Sequence, residues 1–174
     1  EIDKFSFTTD GNATDVGDLT VARQLPAGQS SSTHGYTSGG GNPYRSVIDK
    51  FSFSVDGNAT DVGDLTVARG NMDGQSSTTH GYTAGGSTAG GGASDNNTIE
   101  KFSFATDGNA TDIGDLTRAI RNTAGQSSTT HGYASGGNAP NTTVIDKFSF
   151  TTDGNATDVG DLTVARYGPA GQQY

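Results

Sequence analysis

A chain of 174 residues with 30% hydrophobic residues, 27 Gly and no Trp has little material for a conventional core. Its net charge of -9, with ten basic residues scattered along the chain, argues against phosphate-backbone binding, which needs clustered Lys and Arg. There is no Cys, which excludes disulfides, thiolate nucleophiles and Cys-ligated metals. No apolar run is long enough to span a membrane, and no basic-then-apolar start resembles a signal peptide.

In chain order, "IDKFSF" from Ile2 alternates as a strand does, with Phe5 and Phe7 as its core pair. The Asp10-Gly11 pair then signals a hairpin turn, because Gly accepts positive φ. Val16, Leu19 and Val21 mark a second strand, and Gly17 within it predicts a bulge. "QLPAG" is a turn. "GQSSSTHGYTSGG", Gly28 to Gly40, supplies one longer strand or two very short ones and ends on a Gly pair. Gly41 to Val47 is a turn-rich loop, after which the order begins again. No segment carries an apolar stripe at helical spacing, so almost no helix is expected.

The "I(D/E)KFSF" phrase starts at Ile2, Ile48, Ile99 and Ile145, so the period is 46 residues, then 51, then 46. The extra residues fall between Gly86 and Ile99, where a lengthened loop absorbs them. A period in the high forties with about four short strands is a propeller-blade pattern. The order "HGYTSGG…IDKFSF…DLTVAR" resembles the kelch repeat, which has a Gly pair after its second strand, an aromatic in its third and an "L…R" ending to its fourth. The resemblance covers essentially the whole chain. It departs in lacking the usual Trp, with Ala13 or Thr14 near its place, and in the polarity of the segment before the Gly pair, which leaves a three-stranded blade open. The wording is similar again to kelch-like repeats of marine phage proteins, cyanophage tail or fibre components among them.

The expected fold is therefore all-β, a kelch-like β-propeller segment of about three and a half blades, with a β-solenoid as the alternative. The chain reads as one repeat domain, 1–174, with units at about 1–27, 28–73, 74–124 and 125–170 and a partial unit at 171–174. It starts at the third strand of one blade, which leaves free edges at both ends. Closure by another chain as a homo-oligomer, continuation in a longer chain, or membership of a larger assembly would cover them.

The repeated phrases offer three candidate sites. His34, His80 and His131 recur once per repeat and could line a channel for a metal or an anion. A residue present in every blade is more simply scaffold, so a structural hydrogen bond is expected. "DGNATDVGD" brings Asp10, Asn12, Asp15 and Asp18 together, with equivalents in the other copies, and such oxygens suit Ca²⁺. The spacing fits neither an integrin-type loop nor an EF-hand, so Asp and Asn capping their own turn is preferred and no cofactor is expected. The "NAT" sequons at Asn12, Asn58, Asn109 and Asn155 read as turns for the same reason. Arg23, Arg69 and Arg166 end the fourth strand and are expected in inter-blade ion pairs, while Ile120 breaks the pattern with Arg118 and Arg121 beside it. Broken symmetry marks a binding surface, so Arg118, Arg121 and the loop residues Tyr44 and Arg45 are the candidate partner contacts.

No nucleophile elbow, Walker loop or sialidase-type arginine cluster is present, and a copper-radical oxidase would need a Cys. The expectation is a non-enzymatic structural or binding module, at a virion surface or outside the cell. Its partners would be other virion or propeller chains and a host-surface glycan or protein, with no nucleic acid and no membrane span. In the phage resemblance it would be a tail-fibre or adhesin piece attaching to a host. A secreted carbohydrate- or calcium-binding propeller is the alternative.

Overall fold

The computed structural model describes residues 1–89, 94–138 and 140–171. Residues 90–93 of the lengthened loop, Ala139 in the loop before Val144, and 172–174 of the partial unit lie outside them. Among the described residues there is no helix, and the strands fall into four antiparallel sheets. A half-blade pairs β1 (Ile2–Lys4) with β2 (Thr14–Gly17). Blade I is the meander β3 (Ala27–Ser30), β4 (His34–Ser38), β5 (Val47–Ser52) and β6 (Thr60–Asp64). Blade II repeats it in β7 (Asp73–Ser76), β8 (His80–Ala84), β9 (Thr98–Ser103) and β10 (Thr111–Asp115). Blade III does so in β11 (Ala124–Ser127), β12 (His131–Ser135), β13 (Thr142–Ser149) and β14 (Thr157–Arg166).

The fold is all-β and propeller-like. Each sheet is completed by one repeat's own strands, and β3, β7 and β11 lie side by side as the innermost strands. A solenoid would run one sheet from repeat to repeat, and that arrangement does not form. The polar segment before the Gly pair makes two short strands, so the blade has four strands and not three. The bulge expected at Gly17 is present, and the same register shift recurs between Ile48 and Asp49.

The polarity of the inner strand has a packing cause. Gln29 donates from Nε2 to the Tyr82 carbonyl and Gln75 to the Tyr133 carbonyl, both at 3.0 Å, each bond crossing to the next blade. The amide of Ser30 donates to Ser76 Oγ, and that of Ser76 to Ser127 Oγ. Backbones come so close there that a Cβ at Gly74 would overlap the Gly28 carbonyl, whereas one at Gly28 would meet nothing within 4 Å. Gly74→Ala should therefore destabilise the fold by about 1–3 kcal/mol through overpacking, and Gly28→Ala should leave it nearly unchanged. Thermal melts of the two variants compare a joint with an open face.

A second ladder runs through the turn that precedes each inner strand. The Asn71 amide donates to the Leu25 carbonyl, Asn122 to Asn71, and Gly168 to Asn122, at 2.8–3.0 Å. All four residues are left-handed, with φ of 53° at Leu25, 59° at Asn71, 55° at Asn122 and 59° at Gly168. Asn and Gly tolerate that conformation and Leu does not. Leu25 is also exposed, so Leu25→Asn loses little burial and should stabilise the protein by about 1 kcal/mol. Urea denaturation would measure the gain.

The aromatic core lies between blades. Tyr36 of blade I stacks on Phe104 of blade II, with ring centroids 4.7 Å apart, and Tyr82 stacks on Phe150 at 4.6 Å. Phe102 and Phe148 complete these two clusters and are buried. Each of these rings sits over the glycine of its own blade's His-Gly-Tyr phrase, where a Cβ at Gly81 or Gly132 would overlap it. The phrase thus has a division of labour: Gly admits the ring of its own blade, and Tyr reaches the next. Phe5 and Phe7 depart from the expected core pair, being 60% and 95% exposed. No strand bearing a Tyr precedes the half-blade among the described residues.

Candidate functional site

The acidic phrase divides its oxygens among separate partners. Asp15, Asp61, Asp112 and Asp158 each accept from the amide two residues on, at 3.0–3.2 Å, which is the expected self-capping turn. The asparagines act differently. Asn58, Asn109 and Asn155 accept from the amides of Asp18, Asp64 and Asp115 in the preceding unit, at 3.0–3.1 Å. Beside them the Ala59, Ala110 and Ala156 amides donate to the carbonyls of the same three aspartates. Lys50 pairs with Asp107 and Lys101 with Asp153 at 2.6 Å, and Lys4 pairs with Asp56, again across joints. Among the described residues no group of three or more His, Asp or Glu is placed to hold a metal ion.

Two of the three arginines that end the fourth strand form inter-blade ion pairs with the acid of the next "I(D/E)K" phrase, while Arg166 donates from Nε to the Val164 carbonyl at 3.3 Å and has no ion pair among the described residues. Arg23 meets Asp49 at 2.6 Å and Arg69 meets Glu100 at 2.9 Å, with all four side chains fully buried. Burial holds both guanidinium groups below their ordinary range, against the opposing pull of the paired acid. Thr20 and Thr66 add their amides and hydroxyls to the same carboxylates.

The third copy keeps the threonine and loses the arginine. Thr117 donates to the buried Asp146, while Ile120 packs into the apolar cluster. Arg118 turns to the Thr142 hydroxyl at 2.7 Å, and Arg121 pairs with Asp95 at 3.0 Å. A cavity of about 10 Å³ remains among Ile120, Thr142 and Asp146.

The histidines do not converge. Each hydrogen-bonds through Nδ1 to the preceding threonine, at 2.8–2.9 Å, in the turn that opens its strand. Burial, with the charge of Lys101, holds the His80 pKa below its ordinary value. The cleft beside the innermost strands is lined instead by hydroxyls, those of Ser30, Ser76, Ser77, Thr78, Ser128 and Thr129 among them.

Antiparallel connectivity places the segments that differ between repeats. The β3–β4 and β5–β6 turns, which carry the repeated phrases, leave the sheet at one end. The β4–β5 loops and the inter-blade connections leave at the other, tied together by the Gln24–Gly41, Gly70–Ser87 and Arg121–Asn138 bridges. Tyr44 stands at this end in a cleft of about 290 Å³ with Gln24, Leu25, Asn42, Pro43 and Asn71. Arg45 is half-buried, its amide donating to the Gly40 carbonyl and its carbonyl accepting from the Arg69 amide. Arg118 and Arg121 belong to the blade II–III connection, so the two candidate pairs share one end of the molecule and not one pocket.

Asp73 escapes a reading by residue class. It stands where the other copies have Ala27 and Ala124, is buried, and accepts from Gln75 Nε2 at 3.0 Å. Burial pushes its carboxyl up to about 7, with the charge of Asp146 adding to the rise. The signal was its mismatch with those alanines. No protein-family model matches the chain, and no curated protein matches it.

Proposed function

We propose that the chain is a non-enzymatic display module, a propeller-like scaffold in a virion appendage such as a tail fibre or adhesin, whose variable end meets a host surface. One observation carries the reading. The segments that differ between repeats gather at one end, while most of the repeated polar side chains serve turns and joints between blades. Multiple copies in an appendage would gain avidity from individually weak contacts. The resemblance to phage repeat proteins supports the virion setting.

The Tyr44 cleft favours a second reading, a secreted carbohydrate-binding propeller. An aromatic ring among the amides of Gln24, Asn42 and Asn71 suits the apolar face and hydroxyls of a sugar.

The test is binding of the labelled chain to a glycan array and to a panel of intact bacterial cells. Tyr44→Ala and Arg121→Ala should lose binding, and His80→Ala at the opposite end should keep it. Binding that follows the His80 end, or a melting temperature that moves with EDTA or Ca²⁺, would overturn the display reading.

A further inference from the structure

The two ends of the array carry opposite halves of one repeated joint. At the blade I–II joint the trailing blade offers Tyr36, Lys50 and the Asp64 amide, and the leading blade receives them on Phe102 and Phe104, Asp107 and Asn109. Blade III presents the trailing set again as Tyr133, Lys147 and Asp161, together with Arg166. Among the described residues Tyr133 has no ring stacked on it, and Lys147 and Arg166 have no ion pair. The half-blade presents the leading set as Phe5 and Phe7, Asp10, Asn12 and Asp3, with both rings exposed and neither acid in an ion pair among the described residues.

The inner strands show the same complementarity. Gly171 already lies against the Gly125 carbonyl, as Gly125 lies against that of Gly74. At the opposite end Gly28 faces open space.

We propose that a second copy of this chain docks head to tail on the first, blade III of one against the half-blade of the other. Tyr133 stacks on Phe5 and Phe7 of the second copy, Lys147 pairs with Asp10, Arg166 with Asp3, and the Asp161 amide donates to Asn12. The second copy's β1 and β2 take the place of the two outer strands of the next blade, with Gly171 of the first copy at its inner-strand position. The charges match, since the trailing face contributes Lys147 and Arg166 and the leading face Asp3 and Asp10. Such a contact is heterologous, so copies assemble into a ring where the rotation closes and into a filament where it does not.

Sedimentation velocity of the 174-residue chain over a concentration series should show dimers and higher species growing with concentration. Tyr133→Ala should weaken association about tenfold. Gly28→Ala should weaken it without moving the melting temperature, which separates the contact from the fold. The chain has no cysteine, so Lys147→Cys and Asp10→Cys can be made in separate batches. With a short bismaleimide, the mixture should give covalent dimers far in excess of either variant alone. A chain that stays monomeric throughout the series overturns the proposal, as do dimers formed as readily by one cysteine variant alone.

Discussion

Arg69→Ala is expected to destabilise the protein by about 3–5 kcal/mol, the range for removing one partner of a buried ion pair. The loss is large because of what remains behind. Glu100 is fully buried, and without the guanidinium its charge is left to the amide and hydroxyl of Thr66 and a long contact from Thr83. For a domain of this size that corresponds to a fall in Tm of roughly 10 °C or more. Arg69 is also a joint residue, since its carbonyl accepts from the Gly40 amide at 2.9 Å while its side chain crosses to blade II. The loss should therefore act on blades I and II together, as a single shifted transition. Replacing Arg69 and Glu100 together by Met should recover much of it, because burying two apolar side chains avoids the desolvation of both charges. Melts of the single and double variants decide this, and equal destabilisation by both would contradict an electrostatic origin.

Asp73→Ala should act in the opposite direction and depend on pH. The folded carboxyl titrates at about 7 against 3.8 for the ordinary group. Between those values the folded state holds more protons than the unfolded state, so native stability falls as pH rises through the window. Summed over it, the loss is on the order of 4 kcal/mol. Alanine removes the titration, and the equivalent Ala27 and Ala124 show that the inner strand accepts it. Among the described residues Asp73 Oδ2 has no hydrogen-bond partner, so alanine also removes a poorly satisfied buried oxygen. Parent and variant should differ little near pH 4, diverge as pH rises, and hold a constant gap above about pH 8. Denaturant melts across that range measure the gap, and a gap independent of pH would contradict the assignment to Asp73.

The repeat made most of the architecture legible. The bulge at Gly17 is a local signal and appears where the residue places it, whereas Phe5 and Phe7 fall beyond the end of β1 and the Asp-Gly pairs lie inside longer connections, such as the one between β5 and β6. What stayed hidden is contact between residues forty or more positions apart. Asn58 and Asn109 carry ordinary turn chemistry in sequence, yet their amide oxygens accept from the preceding unit, which no reading of the turn alone reveals. The inner strand misleads for a related reason. "AGQSS" looks too polar for a buried strand because its Gln side chains take backbone partners from the next blade and its Ser hydroxyls accept from backbone amides of the preceding one. Arg23 and Arg69 were legible as joint residues, but their partners are Asp49 and Glu100 and not the aspartates of the acidic turn. At the variable end, sequence difference identifies Tyr44 and Arg121, and only the strand directions place them on the same side.

The acidic turns are joints between blades. Hydrogen exchange of the Ala59, Ala110 and Ala156 amides, resolved by NMR, tests it most directly. These three follow Asn in turns that resemble exposed loops, and each donates at 2.8 Å to a carbonyl of the preceding unit. Protection at all three should be comparable to that of the strand amides, and should be lost at Ala110 when Asn109→Ala and Gly63→Ala open its joint. Exchange at all three as fast as in an unstructured peptide would contradict it.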